Sequence, residues 1–184
     1  MKFPALIAAL LAWPVVAGEL PMLSQVETRR DVPVVFSELR MNPLLTEPLR
    51  LNGTLTYTSQ GELTKQIASP VYEVVRLSDT HLLIEREGRR RRVRLKRMPD
   101  VAAFYSVLRA LLDADTDAID AAFTVTEERK GERWSARLVP RAMPLKGMLT
   151  EMTITGFGSQ LARIHIEQPG DSWQTLTIAE PQAP

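Results

Sequence analysis

The feature that most constrains the fold of this chain is a short alternation of apolar and polar side chains that recurs along its length. In residues 51–58, the apolar Leu51, Leu55 and Tyr57 alternate with asparagine and threonine, a pattern typical of a half-buried antiparallel strand. Residues 59–61 predict a turn, and a second alternating segment follows. The apolar side of this hairpin faces either a packed core or a cavity for an apolar ligand, and alternation alone does not separate the two.

Similar segments follow at regular spacing, separated by turn residues such as Lys130-Gly131. The predicted strands are 31–41, 47–58, 62–69, 71–77, 80–86, 89–97, 123–129, 132–139, 149–157, 160–168 and 172–178. About eleven hairpin-linked strands favour a mainly β (α+β) fold in which one antiparallel sheet curls into an incomplete barrel. Because even an eight-stranded barrel has room for one small ligand, this wider sheet leaves an interior that helices must fill.

Helical spacing interrupts the strands in the middle of the chain. Pro99 suits a first helical turn, and apolar residues then recur every three or four positions. This spacing predicts an amphipathic helix from Pro99, a short helix at 116–122, and another helix at 19–30 near the N-terminus. The apolar side of the Pro99 helix makes it the candidate lid over the interior of the barrel.

The first residues predict a secretory signal peptide. Lys2 is followed by an uncharged apolar run, and Val15 and Ala17 fit the small-residue positions of a cleavage site. The run is short for a membrane anchor, and two prolines interrupt it. The predicted organisation is a signal peptide at 1–17 cleaved after Ala17 or Gly18, one periplasmic domain at 18–179, and a disordered tail at 180–184.

Composition argues against several function classes. Lys and Arg total 23 and Asp and Glu total 22, and removal of Lys2 with the signal peptide leaves a formally neutral chain, so net charge gives no argument for nucleic-acid binding. The chain contains no cysteine, so we expect neither disulfide bonds nor lipid attachment at an N-terminal cysteine. We expect a soluble monomer.

No motif points to catalysis or to a cofactor. Neither His81 nor His165 has a second histidine or a cysteine at ligand spacing, so we expect no metal site. The acidic segment DADTDAID at 113–120 is explained by helix capping and by the favourable interaction of acids with a helix N-terminus. We therefore expect a protein that is not an enzyme and needs no cofactor.

Charged side chains on the predicted strands offer two local candidates. Arg90, Arg92, Arg94 and Lys96 share one side of a strand, where they form either a solvated edge protected by charge or a basic docking surface for an acidic partner or anionic lipid headgroups. Lys65 shares a side with apolar residues. Its ammonium group either reaches the rim of the barrel, which we favour, or meets an anionic ligand group.

Several segments, taken in order, are similar to a known family. Phe36, Glu38 and Arg40 form an F-x-E-x-R motif, and Gly53 and Tyr57 follow in the next strand. The later segments are GELTKQIASPVYEVV, LLDADTDAIDAAF, WSARLVP and PGDSWQTLTI. Over about residues 20–179, these segments together resemble the outer-membrane lipoprotein carrier family, LolA, and in particular its LolA-like branch.

The resemblance implies an incomplete barrel whose helices form a lid over a hydrophobic cavity. It implies that the cavity shields acyl chains of a lipoprotein or another lipid-like cargo, taken from an inner-membrane exporter and passed to an outer-membrane acceptor. The family's usual Arg-Pro at the start of the third strand, whose Arg helps to hold the lid closed, is replaced here by Ser59 and Gln60. The alternative is a cargo-free interaction or sensor module with the same fold and a packed interior.

Alternation and helical spacing select the residues expected to line the cavity, with the helix residues facing it from the lid and the strand residues forming its wall. The predicted cavity residues are Leu51, Leu55, Tyr57, Leu63, Ile67, Leu95, Val101, Phe104, Tyr105, Leu108, Leu111, Trp134, Leu138, Met152, Ile154 and Ile164.

Overall fold

The computed structural model describes residues 20–179, so the predicted signal peptide and the predicted tail lie outside the described residues. The strands are β1 (Val34–Met41), β2 (Leu49–Tyr57), β3 (Leu63–Ser69), β4 (Glu73–Leu77), β5 (His81–Arg86), β6 (Arg89–Arg94), β7 (Phe123–Lys130), β8 (Arg133–Pro140), β9 (Glu151–Phe157), β10 (Gln160–Gln168) and β11 (Ser172–Ile178). The helices are α1 (Pro99–Leu112), α2 (Thr116–Ala122) and α3 (Leu145–Met148), with short 3-10 helices at Leu23–Gln25 and Leu95–Arg97. Among these described helices, none is long and apolar enough to cross a bilayer.

All eleven strands belong to one antiparallel sheet in the order β6-β5-β4-β3-β2-β1-β11-β10-β9-β8-β7. Strands adjacent in the chain are adjacent in the sheet, except that β6 and β7 form opposite edges and β1 pairs with β11. The connection between the two edges carries α1 and α2. The predicted open antiparallel sheet of about eleven strands is therefore confirmed.

Alternation along each strand gives the sheet two faces, and we name the face that packs against the helices the inner face. In the register of the central strands, Phe36 on β1 lies opposite Gly53 on β2, and Gly53 lies opposite Ile67 on β3. A Cβ atom at Gly53 would collide with the backbone oxygen of Gln66, so only glycine allows β2 and β3 to approach closely at this bulge.

The N-terminal segment is not the helix predicted at 19–30. Only Leu23–Gln25 makes a turn, as a 3-10 helix. The backbone amides of Met22 and Leu23 donate to the carboxylate of Glu127 on β7, at 3.1 and 2.9 Å. Tertiary partners therefore satisfy amides that helix capping would otherwise have to satisfy, and the chain continues without an α-helix.

Strand β6 ends at Arg94, three residues earlier than predicted. Leu95 begins a 3-10 helix, in which its side chain is buried and its amide donates to the carbonyl of Thr80 at 2.9 Å. Lys96 therefore lies in a 3-10 turn and does not continue the row of arginines on β6, which corrects the prediction from alternation. Helix α3 was not predicted, because four residues are too few to display a helical period.

One half of the inner face is a packed core, to which β7–β10, the helices and the N-terminal segment all contribute. Its buried members are Leu20, Leu23, Val26, Val107, Ala110, Leu111, Ile119, Phe123, Trp134, Ala136, Leu138, Leu145, Leu149, Met152, Ile154 and Ile166. Trp134 Nε1 donates to the carbonyl of Gly158 at 2.9 Å, and a Cβ atom at Gly156 would collide with the Trp134 ring. We refer to the inner faces of β7–β10 as the packed half.

Candidate functional site

The inner faces of β1–β6, which we refer to as the open half, are less completely filled. They carry two small clusters, one of Phe36, Leu51 and Ile67 with Leu55 and Leu176, and one of Leu77, Leu95 and Tyr105 with Leu82, Val101 and Ala102. Leu63, Val75, Ile84 and Val93 are apolar, only half-buried, and belong to none of the clusters among the described residues. Their partial exposure leaves some apolar area on the inner face that a ligand could cover.

Helix α1 lies across the end of the open half where the β2–β3 and β4–β5 turns are found. The Tyr105 hydroxyl donates to the carbonyl of Gly61 in the first turn. One turn of helix later, Arg109 Nη1 lies 2.7 Å from Asp79 Oδ1 in the second turn. Burial raises the pKa of Tyr105 to about 12, so this hydroxyl remains protonated and donates at neutral pH. Two successive helical turns therefore fasten α1 to the tips of two hairpins.

Asp113, immediately after α1, makes the third connection to the sheet. Its Oδ1 accepts from the hydroxyl of Tyr57, the last residue of β2, and from the Arg30 guanidinium, both at 2.8 Å. Burial alone would raise the pKa of Asp113, but the hydrogen bonds from Tyr57 and Arg30 outweigh it and hold that pKa below its ordinary value. We name Tyr105, Arg109 and Asp113, with these partners, the latch.

The sequence analysis missed the role of Asp113. It assigned the acidic segment to helix capping, which is confirmed for Asp115, whose carboxylate accepts from the Ala118 amide at 3.1 Å. Asp113 is instead part of the latch, and no local pattern distinguishes the two acids. Its partners lie 56 and 83 residues away in the chain, so only the tertiary fold reveals the contact.

Glu38 is a carboxylate buried within the apolar wall of the open half. Its side chain is 1% exposed, its Oε1 lies 2.7 Å from Arg40 Nη2, and its Oε2 pairs with Lys65. The Lys65 ammonium also lies 5.0 Å from the centroid of the Phe36 ring. The F-x-E-x-R motif therefore supplies the ring, the anion and one cation of a single assembly. We name Glu38, Arg40 and Lys65 the charged triad.

The position of Lys65 differs from the predicted position at the rim. Its side chain is 20% exposed and is turned towards buried Glu38. Burial lowers the pKa of Lys65, and the nearby Glu38 carboxylate opposes that effect. The missed signal was the inward alternation of Glu38 on β1, because a buried acid on one strand predicts a cation within reach on another.

The predicted cavity residues all lie on the helices or the inner face, but the structure divides them among separate groups. The core of the packed half contains Phe104, Leu111, Trp134, Leu138, Met152, Ile154 and Ile164. The cluster with Phe36 contains Leu51, Leu55 and Ile67, and the cluster with Leu77 contains Leu95, Val101 and Tyr105. Outside these clusters lie Tyr57, Leu63 and Leu108. The candidate site therefore narrows to the open half and the side of α1 above it.

A separate concavity lies on the outer face of the sheet, opposite the helices. This open depression of about 600 Å³ is lined by Ser37, Leu39, Arg50, Arg163, His165, Trp173, Thr175 and Thr177. His165 Nδ1 lies 2.7 Å from the Thr175 hydroxyl, and its ring is 6.0 Å from that of Trp173. The lining mixes polar and apolar side chains and contains none of the predicted cavity residues.

The arginines predicted for partner docking lie on the outer face of β6. Arg90 Nε is 3.1 Å from Glu85, and Arg92 Nη2 is 3.3 Å from His81 Nδ1. Arg90, Arg92 and Arg94 are all exposed, and β6 is an edge strand of the sheet. This arrangement fits the interpretation as a charged, solvated edge and leaves the guanidinium groups accessible to a partner.

With this geometry established, comparison with known proteins identifies the family. The family described as "Outer membrane lipoprotein carrier protein LolA-like" matches residues 19–181. The chain belongs to this LolA-like family. Membership confirms the resemblance predicted from the F-x-E-x-R segment and the later motifs. It also supports, at the level of the family, a carrier of lipids or lipoproteins rather than an enzyme.

Comparison with solved structures returns matches of low sequence identity and low TM-score. A LolA superfamily protein, NE2245 from Nitrosomonas europaea, is 7% identical, with 90% of this chain and 93% of that chain covered and a TM-score of 0.42. LprF from Mycobacterium bovis is 14% identical (83% and 87% covered, TM-score 0.35), and the lipoprotein LppX from Mycobacterium tuberculosis is 11% identical (82% and 88% covered, TM-score 0.41). Similarity at this level transfers no ligand and no residue role. Among curated proteins, none matches the chain in sequence.

Proposed function

We propose that this LolA-like protein is a periplasmic carrier, without enzymatic activity, that shields acyl chains of a lipoprotein or another lipid-like cargo between an inner-membrane exporter and an outer-membrane acceptor. Family membership supports carriage in general. The observation that supports it in this chain is the half-buried apolar surface of the open half, formed by Leu63, Val75, Ile84 and Val93 on strands β3–β6. An acyl chain would complete the burial of these side chains.

The energetic requirement is large. Transfer of an acyl chain out of a bilayer costs about 0.8 kcal/mol per methylene, so a sixteen-carbon chain costs about 12 kcal/mol. A carrier must offset most of this cost with its own apolar surface and must still release the chain. A packed core cannot do both, because its side chains are already fully buried. Half-buried side chains retain unburied area that a cargo can cover.

In this proposal, opening of the latch gives the cargo access to the open half. Its contacts are side-chain hydrogen bonds and ion pairs at the tips of hairpins, most of them partly exposed. Such contacts are individually modest in strength, so the latch can open at a small cost while Val107, Ala110 and Leu111 keep α1 anchored in the packed core. A tilt of α1 away from the hairpins would then widen access to the open half without loss of the fold.

Leu108 on α1 provides the test of this proposal. It is half-buried and lies outside the packed clusters of the described residues. We expect Leu108→Asp to abolish recovery of lipid with protein purified from the periplasm without detergent, because a carboxylate would face the acyl chain. The variant should still be exported and folded, as judged by its circular dichroism spectrum.

The matched control is Ser106→Asp, which places the same side chain on the exposed side of the same helix. This variant should retain lipid at the wild-type level. Equal lipid content in the wild-type protein and in Leu108→Asp would contradict the assignment of the site to the underside of α1.

A second candidate function is a cargo-free interaction or sensor module that docks a partner through the exposed arginines of β6. The exposure of Arg90, Arg92 and Arg94 at an edge strand favours it. Substitution of all three by Ser separates the two functions. If the protein is a carrier, the triple variant should have unchanged lipid content, and delivery should be slower if the arginines dock the exporter or acceptor. If the protein is an interaction module, it should hold no lipid and the triple variant should lose partner binding.

A further inference from the structure

The inner face of the open half carries charge as well as apolar surface. By strand alternation, its charged side chains are Arg40, Lys65, Arg86, Arg89 and Arg91 against Glu38 and Glu73. Five cations and two anions leave this surface with a net charge of +3. The mature chain as a whole is close to neutral, so the excess is local and is not explained by composition.

The charged triad is the part of this set that lies nearest the apolar wall. One carboxylate, Glu38, serves two cations, so the triad carries a net charge of +1. Arg40 remains 41% exposed at the side chain, at the end of the open half opposite the latch. The Lys65 ammonium has three N–H donors and uses one on Glu38. Donor capacity and positive charge therefore adjoin a surface suited to an acyl chain.

We propose that the cargo of the open half is an anionic amphiphile, with its acyl chain against the apolar inner face and its negatively charged headgroup at Arg40 and Lys65. This inference rests on the carrier proposal and specifies the chemical class of the cargo. A charge-assisted contact from a guanidinium and an ammonium to one anionic group is short and strong where water is scarce. A neutral headgroup of the same size gains no such contact.

Arg40 also lies at the end of the open half that α1 does not cover. The latch fastens α1 near the β2–β3 and β4–β5 turns, whereas Arg40 lies near the C-terminal end of β1, next to the first residue of β2. The headgroup would therefore remain at an accessible rim while the acyl chain extends towards α1. This orientation lets the chain be buried without desolvating the whole headgroup.

The test compares two probes with the same sixteen-carbon chain, palmitoyl lysophosphatidylglycerol, which is anionic, and monopalmitoylglycerol, which is neutral. Binding of each to the purified, delipidated mature protein is measured by displacement of a fluorescent fatty-acid analogue. We expect the anionic probe to bind about tenfold more tightly, the equivalent of one favourable charged contact. Palmitate, as a third probe, shows whether a carboxylate is accepted as well as a phosphate.

Arg40→Ser should reduce the preference for the anionic probe to less than about threefold and leave the neutral probe unchanged. The matched control is Arg50→Ser on the neighbouring strand, whose side chain lies on the outer face. A second pair, Arg91→Ser on the inner face and Arg92→Ser on the outer face of β6, should keep the wild-type preference, because neither residue belongs to the charged triad.

Four results overturn the inference. Equal binding of the two probes, or an unchanged preference in Arg40→Ser, would show that headgroup charge is not recognised there, while the carrier proposal stands. An equal loss of preference in Arg50→Ser would assign the effect to overall charge. Failure of every probe to bind the wild-type protein would reject the carrier proposal itself, and this inference with it.

Discussion

The packed half and the open half belong to one sheet and have the same alternating strand pattern, but they differ in how completely their inner faces are buried. In the packed half, buried side chains from four strands, three helices and the N-terminal segment form one continuous cluster. In the open half, six strands support only two small clusters, a charged triad and a half-buried apolar surface. Both halves read as alternating strands in the sequence, so alternation reports which face is apolar but not what covers that face.

In the proposed carrier, this difference assigns stability to the packed half and binding to the open half. A side chain without exposed area contributes its full burial to folding and has nothing left to offer a ligand. A half-buried side chain contributes less to folding and retains surface for a cargo. A carrier built on a single sheet can therefore change its lid contacts over the open half without loss of the fold.

Trp134→Ala in the packed half gives the largest expected effect. It removes a buried ring and its hydrogen bond to Gly158, and should lower the free energy of unfolding by about 3–5 kcal/mol. Val75→Ala in the open half should cost about 1 kcal/mol or less, because Val75 is half-buried. Urea denaturation of the two variants measures the contrast, and equal losses would contradict the division into two halves.

Glu38→Ala gives the next largest expected effect. It tests whether the buried charge of Glu38 is required by its paired cations. Removal of Glu38 leaves Lys65 without its carboxylate partner, and should cost about 3 kcal/mol in the free energy of unfolding. The double variant Glu38→Leu/Lys65→Met removes both charges and should recover most of that loss. If the double variant is no more stable than Glu38→Ala, the charges of Glu38 and Lys65 are not energetically coupled.

Asp113→Asn gives a smaller effect, confined to the latch. Loss of the charge on Asp113 weakens its bonds to Tyr57 and Arg30, and should cost about 1–2 kcal/mol at neutral pH. Hydrogen exchange of the α1 amides should accelerate, while exchange in the packed half should not change. Uniform acceleration across both halves would show that the latch does not open independently of the packed half.

The latch should also respond to acid. The folded pKa of Asp113 lies below its ordinary value, so its stabilising contribution is present above that ordinary value, near 4, and is lost as the pH falls through the folded pKa. The stability difference between the wild-type protein and Asp113→Asn should therefore shrink in urea titrations below about pH 4. A difference that stays constant down to pH 2 would exclude ionised Asp113 as its source.

Much of the fold follows from local pattern. The strands β10 and β11 and the helix α2 have the predicted bounds, and α1 begins at Pro99 as predicted. The errors fall where distant contacts override local preference. Glu127 accepts from the amides of Met22 and Leu23 in the N-terminal segment, and Leu95 begins a 3-10 helix whose first amide donates to the carbonyl of Thr80.

The candidate site is less predictable, because one alternation describes both halves. Leu63 and Ile154 are both flanked by polar residues in their strands, yet Ile154 is fully buried and Leu63 is not. The charged triad and the latch join residues that are far apart in the chain, such as Glu38 with Lys65 and Asp113 with Arg30. Such pairs become visible only when the register between strands and the position of α1 are known.

The most direct test of the central claim is native mass spectrometry of the mature protein purified from the periplasm without detergent. The account predicts a fraction of molecules heavier than the polypeptide by the mass of a discrete lipid or lipoprotein, and loss of that fraction in Leu108→Asp but not in Ser106→Asp. A wild-type protein that carries only its own mass, and that still takes up nothing after incubation with vesicles containing palmitoyl lysophosphatidylglycerol, would contradict it.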